Sequence, residues 1–197
     1  MVSILLRPSQ KENIWWAAVD CFAGQGYDGT RVRHITERAG VSEAAIYRHY
    51  ASVEALAQEL FAHYFGEYAR QIDDATSNGT TKHRLRAVIR TTLAFYRADP
   101  PAAIFILVRQ DRFLPRLPAG TVYPLEIVER IIAVGQQKLE LRAGKPNLLA
   151  AIFLGCVLRP IQLDSLAAPG ALDLITDTWH DQVIEEAALA ALWRDRS

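Results

Sequence analysis

The sequence predicts an all-α protein with an N-terminal three-helix head and a C-terminal helical bundle. Two observations carry that prediction. Between Thr30 and Leu56, two short amphipathic runs are joined by about three residues around Gly40, the pattern of a helix-turn-helix. Beyond it, apolar residues recur at spacings of three and four almost to the C-terminus, as in Leu56, Leu60, Tyr64, Tyr68 and Ile72.

Residues 1–8 read as a loose tail, in which Arg7 is either a disordered cation or an arm reaching for a minor groove. A first helix is expected from Gln10 to Ala23, with Ile14, Trp15, Ala18 and Phe22 on its core face. Trp16 is left undecided between core and base-stacking roles. Gly24, Gly26 and Gly29 punctuate a loop before Thr30. Thr30, Ser42 and Ser52 each precede a helical run, where a hydroxyl accepts a hydrogen bond from the first turn. Gly40 suits the left-handed residue that ends a helix. The pairs Ile35/Ala39 and Ile46/Tyr50, with Val41 in the turn, lock the two short helices together. At about 100° per residue, Ala44 and Arg48 lie opposite that stripe, flanked by Ala45 and Tyr47. Small, basic and phenolic groups on an exposed helix suit a DNA major groove, because the small ones permit approach and the polar ones reach phosphates or base edges.

Gly26-Tyr27, Thr30, Ile35, Ala39-Gly40-Val41-Ser42, Ile46-Tyr47, His49-Tyr50, Ser52, Glu54 and Leu56 together resemble the DNA-binding domain of the TetR (tetracycline-repressor-like) family. The resemblance covers roughly the first third of the chain. It implies that the third helix is the recognition helix and that Thr30, Tyr47 and His49 touch phosphates. With Arg31, Ser42, Ala44, Ala45 and Arg48 they form the candidate DNA surface. One position departs from the family: Val53 stands where a lysine usually reaches the DNA backbone.

A long fourth helix starts after Ser52 and breaks between Asp73 and Thr81. The fifth runs from Lys82 to Asp99-Pro100-Pro101, and a short sixth spans Ala102 to Arg109. A proline-broken loop follows, from Phe113 to Gly120. The seventh carries Leu125, Val128, Ile132, Gly135 and Leu139 on one side and Ile127, Ile131 and Val134 on another, which predicts an interior position. The eighth begins near Pro146 and is kinked or ended by Pro160. The ninth places Leu172, Ile175, Trp179, Val183 and Ala187 on one face, with Asp173, Asp177, Asp181, Glu185 and Glu186 toward solvent. Two apolar helices at the C-terminus, with little chain left to cover them, ask for a partner. The resemblance implies a homodimer paired through those two helices in a four-helix bundle.

Charge does not advertise nucleic acid. Lysine plus arginine equals aspartate plus glutamate, 22 against 22, and residues 1–56 hold six of each sign. Only the four arginines between 30 and 49, against Glu37 and Glu43, lean positive. Half of the residues are hydrophobic, which excludes a disordered chain. Cys21 and Cys156 are too few for a disulfide framework and read as buried structural thiols. With no signal-peptide core and no run of ~20 uninterrupted apolar residues, the expectation is a cytoplasmic protein without a membrane span. His34, His49, His63, His83 and His180 include no metal-spaced pair, and neither a nucleophile elbow nor a phosphate-cradling glycine loop is present. No enzyme, cofactor or metal is therefore expected.

These readings imply a transcriptional regulator, a repressor that binds a double-stranded operator through residues 1–52. Residues 53–197 would dimerise and hold an effector. Aromatic residues in excess of a small bundle's needs suggest a hydrophobic small molecule, with Phe95, Tyr96, Phe105, Phe153, Arg159 and Trp179 as candidate ligand contacts. Arg159 has an alternative reading as a structural cation paired with Asp164. Charge neutrality and Val53 keep open a rival function, a helical ligand-binding or interaction protein whose head no longer binds DNA.

Overall fold

The computed structural model describes residues 9–109, 112–166, 173–174 and 178–193. Among them are nine α-helices: α1 (Gln10–Gly29), α2 (Val32–Ala39), α3 (Glu43–His49), α4 (Val53–Thr76), α5 (Thr81–Ala98), α6 (Pro100–Leu107), α7 (Pro124–Gln137), α8 (Pro146–Leu166) and α9 (Trp179–Ala190). A 3-10 turn, Leu114–Arg116, lies between α6 and α7. Arg7, Leu172, Ile175 and Asp177 lie outside the described residues.

Local chemistry accounts for most of the boundaries. Ser9 caps α1 reciprocally: its hydroxyl accepts from the Glu12 N–H, and the Glu12 carboxylate accepts from the Ser9 N–H at 2.6 Å. Ser42 and Ser52 cap α3 and α4 by accepting from the Ala45 and Ala55 N–H groups. Gly40 ends α2 in the left-handed region (φ 67°, ψ 36°), which only glycine enters without steric cost. Asp99 caps α6, whose first residue is Pro100.

Three boundaries differ from the sequence reading. α1 does not stop at Ala23. It runs through Gly24, kinks at Gly26 (φ 75°, ψ 166°) and completes a last turn to Gly29. Thr30 does not cap α2, whose capping residue is Arg31. The Thr30 hydroxyl instead donates back to the carbonyls of Gly26 (2.7 Å) and Cys21 (3.3 Å), closing the end of α1. Pro160 does not end α8, which continues to Leu166; packing along α7 and α9 holds it past the missing N–H.

The buried side chains form one cluster that reaches from Ile14 in α1 to Leu192 beyond α9. At its head end, α1 packs on α6 and α4. Phe22, Phe61, Phe105 and Phe113 interlock there with ring centroids 5.2–5.7 Å apart, in stacked, tilted and edge-on geometries. Cys21 is buried, and burial pushes its thiol pKa up; Cys156 is only half-buried, short of the interior site expected for it. α7 is interior along Ile127, Val128, Ile131 and Ile132, but Leu125 and Leu139 at its ends reach solvent.

α8 is long and apolar enough, by length and composition, to cross a membrane, and a third of its most apolar stretch is buried. Its open side carries Leu148, Ile152, Leu163 and Leu166, the last 65% exposed.

Gly135 is where the chain folds most tightly on itself. After α7 the chain turns back so that Leu141 lies against Gly135, with the start of α5 on the other side. A β-carbon at 135 would stand 2.7 Å from both Leu141 Cδ1 and Thr81 Cγ2. Gly135→Ala is therefore expected to cost about 1–3 kcal/mol. Urea unfolding measures it, and an unchanged midpoint would show that the contact relaxes freely.

Candidate nucleic-acid interface and effector cavity

The exposed face of the head is built by α3. Ala44, Tyr47 (50% exposed), Arg48 and His49 lie on its open side, with Ser42 at its N-terminal end. Ile46 and Tyr50 on the opposite side are buried. Two predicted contacts are placed otherwise. Ala45 is 2% exposed, turned into the core at the back of α3 rather than flanking the open face. Thr30 is 5% exposed, with its hydroxyl committed to α1 carbonyls. Arg31 is exposed, and its guanidinium donates to the Asp28 carbonyl at 2.9 Å. Val53, at the first turn of α4, is half-buried against the core; an apolar residue there completes packing where a lysine would point out.

α3 is anchored from behind. Trp15 Nε1 donates to the Tyr50 hydroxyl at 2.6 Å, tying α1 to the residue that ends α3. Lys11 lies over the Trp15 ring at 5.0 Å and pairs with Glu59 on α4 at 3.1 Å. α1 and α4 together thus fix the attitude of α3. Trp16, next in sequence, is 58% exposed and carries the Arg38 guanidinium at 5.2 Å from its ring centre.

In the body, a cavity of about 420 Å³ opens between α4, α7 and α8. Phe65 and Tyr68 of α4, Leu107 at the end of α6, and Leu114 of the 3-10 turn form one side. Tyr123 through Glu126 and Ala151, Leu154, Gly155 and Leu158 form the other. Its size is that of small-molecule sites, and its walls are mostly apolar. The Tyr68 hydroxyl is bonded to Thr92 at 2.8 Å, and burial pushes its pKa up to about 12, so it stays neutral. A depression between α5 and α9 is lined instead by Arg86, Arg90, Asp181, Glu185 and Glu186.

None of the six ligand contacts expected from sequence lines this cavity. Phe95 packs on Tyr68 from the far side, with ring centres 5.2 Å apart. Phe105 belongs to the ring cluster, and Phe153 is fully buried in α8. The Tyr96 hydroxyl donates to the Asp164 carboxylate at 2.7 Å; burial, then that carboxylate, raise its pKa. Asp164 is thus taken by Tyr96, and Arg159 pairs with Gln162. Trp179 is 68% exposed on α9. Of these, Phe95, Tyr96, Phe105 and Phe153 are taken up by the core. The readable signals were the proline-broken loop, which holds α6 and α7 apart, and the small Ala151 and Gly155, which hollow α8.

The segment between α6 and α7 touches both sites. Arg112 lies over the Tyr27 ring at 4.6 Å and reaches Asp28 at 3.2 Å and Glu54 at 3.7 Å. Arg116 also pairs with Glu54, at the first turn of α4. Arg116 first, and Arg112 with it, hold the Glu54 carboxyl below the usual carboxylate range. The pairs therefore persist at neutral pH and open only as pH falls through that lowered value. Between the two arginines, Phe113 enters the ring cluster and Leu114 enters the cavity wall.

Comparison with known proteins now bears on this geometry. The sequence profile of "Bacterial regulatory proteins, tetR family" matches residues 14–60, which span α1 to the first turns of α4. Residues 14–60 thus carry the signature of a TetR-family DNA-binding domain. The fatty acid metabolism regulator protein of Bacillus subtilis (strain 168) is 27% identical over 181 residues, 88% of this chain and 86% of that one. The HTH-type transcriptional repressor KstR2 of Mycolicibacterium smegmatis is 32% identical over 73 residues, 35% of this chain and 36% of its own. Among solved structures, FadR from Bacillus subtilis, in complex with stearoyl-CoA, superposes with a TM-score of 0.72 at 21% identity, covering 92% of this chain and 98% of that one. The fatty acid degradation regulator FadR from Bacillus halodurans gives 0.72 at 18% identity, over 93% and 96%. The chain therefore has the fold of these structures over nearly its whole length.

The anchoring of α3 can be tested through its hydrogen bond. Tyr50→Phe keeps the ring and strands the Trp15 N–H, which is expected to cost about 0.5–1.5 kcal/mol. Thermal unfolding measures it; an unchanged midpoint would show that water replaces the hydroxyl at no cost.

Proposed function

We propose that this TetR-family regulator is a homodimeric repressor whose operator affinity is set by an apolar effector in the cavity between α4, α7 and α8. In this reading residues 1–52 bind DNA and residues 53–197 dimerise and sense the effector. Arg48 reads a base edge, Tyr47 and His49 hold phosphates, and Ser42 and Ala44 allow α3 to approach the groove. Arg31 supplies a further cation. The fatty-acid regulators among the relatives, one of them solved with stearoyl-CoA, support an effector bearing a long apolar chain.

The observation that carries the reading is the 112–117 segment. Leu114 forms cavity wall, while its neighbours Arg112, Phe113 and Arg116 hold Tyr27 and Asp28 of the head and Glu54 at the start of α4. An effector that moves Leu114 moves the clasp on the N-terminus of α4 and the end of α1. A ligand shifts the DNA-binding equilibrium only by its difference in affinity for the two arrangements, about 5.5 kcal/mol for a swing from 1:99 to 99:1. Burying several hundred Å² of chain at ~25 cal/mol per Å² supplies gross energy of that order.

Leu148, Ile152, Leu163 and Leu166 on α8, with Trp179 and Val183 on α9, leave a large apolar face open on two packed helices. A second copy of the same face covers it with two-fold symmetry. Two copies of α3 then face two half-sites, each spacing a multiple of ~34–36 Å.

Selection from random duplexes should thus recover inverted repeats. The double variant Ile152→Glu/Leu163→Glu should sediment as a monomer and lose operator binding while keeping its helical content. A monomeric variant that binds the same operator as tightly would overturn the dimer reading.

A further inference from the structure

The cavity does more than accept an apolar chain; its single charged lining residue sets what the chain can end in. Of the described residues around it, only Glu126 carries a charge, and that charge is negative. Arg109 and Arg130 are not among its lining residues, and the arginines beside the 3-10 turn and Leu158 are engaged elsewhere. Arg116 and Arg112 are paired with Glu54 on the head side of the 3-10 turn, and Arg159, next to Leu158, pairs with Gln162. The N-terminal end of α7 also borders the cavity, and a free helix start attracts anions. Here that pull is weakened: α7 begins with Pro124, which has no N–H to offer, and the Glu126 carboxylate in the first turn opposes a second anion. The Tyr123 hydroxyl, beside Glu126, points to the Leu114 carbonyl at 3.4 Å.

We infer that the effector of this cavity ends in a hydrogen-bond donor, a hydroxyl or an ammonium group, which the Glu126 carboxylate accepts, and that a free carboxylate is disfavoured. This inference rests on the proposed role of the cavity as effector site and adds the chemistry of the ligand's polar end. A carboxylate placed at that end meets Glu126 at close range with no cation lining the cavity to offset it. Glu126 is solvent-exposed, so like charges about 4 Å apart there weaken binding by roughly fivefold. A hydroxyl donating to Glu126 suffers no such repulsion, and an ammonium gains attraction.

The full chain tests this with three probes of one chain length: 1-decanol, decylamine and decanoate, each below its aggregation concentration at pH 7. Binding is followed by titration calorimetry. Decanol and decylamine should bind, with decanoate roughly fivefold weaker. Glu126→Gln should remove the advantage of decylamine over decanol and narrow the gap to decanoate, with decanol affinity kept within a few-fold. Decanoate binding as tightly as decanol to the unaltered protein, or a Glu126→Gln variant with the same three-way ranking, overturns the inference and leaves the cavity as effector site intact. Binding of none of the three removes the cavity from that role and the inference with it.

Discussion

Phe22, Phe61, Phe105 and Phe113 meet at one point, and the rest of the molecule is arranged around that meeting. Each ring comes from a different element: α1, α4, α6 and the segment leading to the 3-10 turn. Each is essentially removed from water. Burial of such a side chain contributes about 1.5–3 kcal/mol, and the ring pairs add about 0.5–1.5 kcal/mol each. The charged clasp beside them contributes far less, because Arg112, Arg116, Asp28 and Glu54 are all substantially exposed and screened. The rings therefore hold the head to the body, and the ion pairs set the register of that hold.

That division makes the junction suitable for signalling. A buried cluster of interlocked rings is bistable rather than elastic, since a shift of one ring forces its neighbours into new rotamers. Phe113 is the member of the cluster nearest in sequence to the cavity, one residue from Leu114. On the head side, α1 passes directly from Phe22 in the cluster to the Gly26 kink and Thr30, and at its other end Trp15 grips Tyr50. The path from cavity to recognition helix therefore consists of one packed cluster and one rigid helix.

The sequence made the head legible almost residue by residue, because its determinants are local. Gly40 needs a left-handed backbone, and Ser42 and Ser52 cap the residues three positions on; neither depends on distant contacts. What failed depends on tertiary partners. Gly24 and Gly29 stay helical because α1 packs along α6, and Thr30 turns inward because the Gly26 kink presents a carbonyl to its hydroxyl. Ala45 is hidden by the depth to which α3 sits. The expected ligand residues do not line the cavity for a related reason. Aromatic side chains mark both cores and pockets, and here Phe105 and Phe153 fill the core while the hollow lies where small side chains and a broken loop leave room.

The claim that cavity and recognition helix are joined through residues 112–117 is tested most directly by amide hydrogen exchange on the full-length protein, with and without saturating decanol. The account predicts changed protection at the cavity walls of α7 and α8, at residues 112–117, and in the last turn of α1 and the first turn of α4. Changes confined to the cavity walls, with the head unaltered, would contradict it.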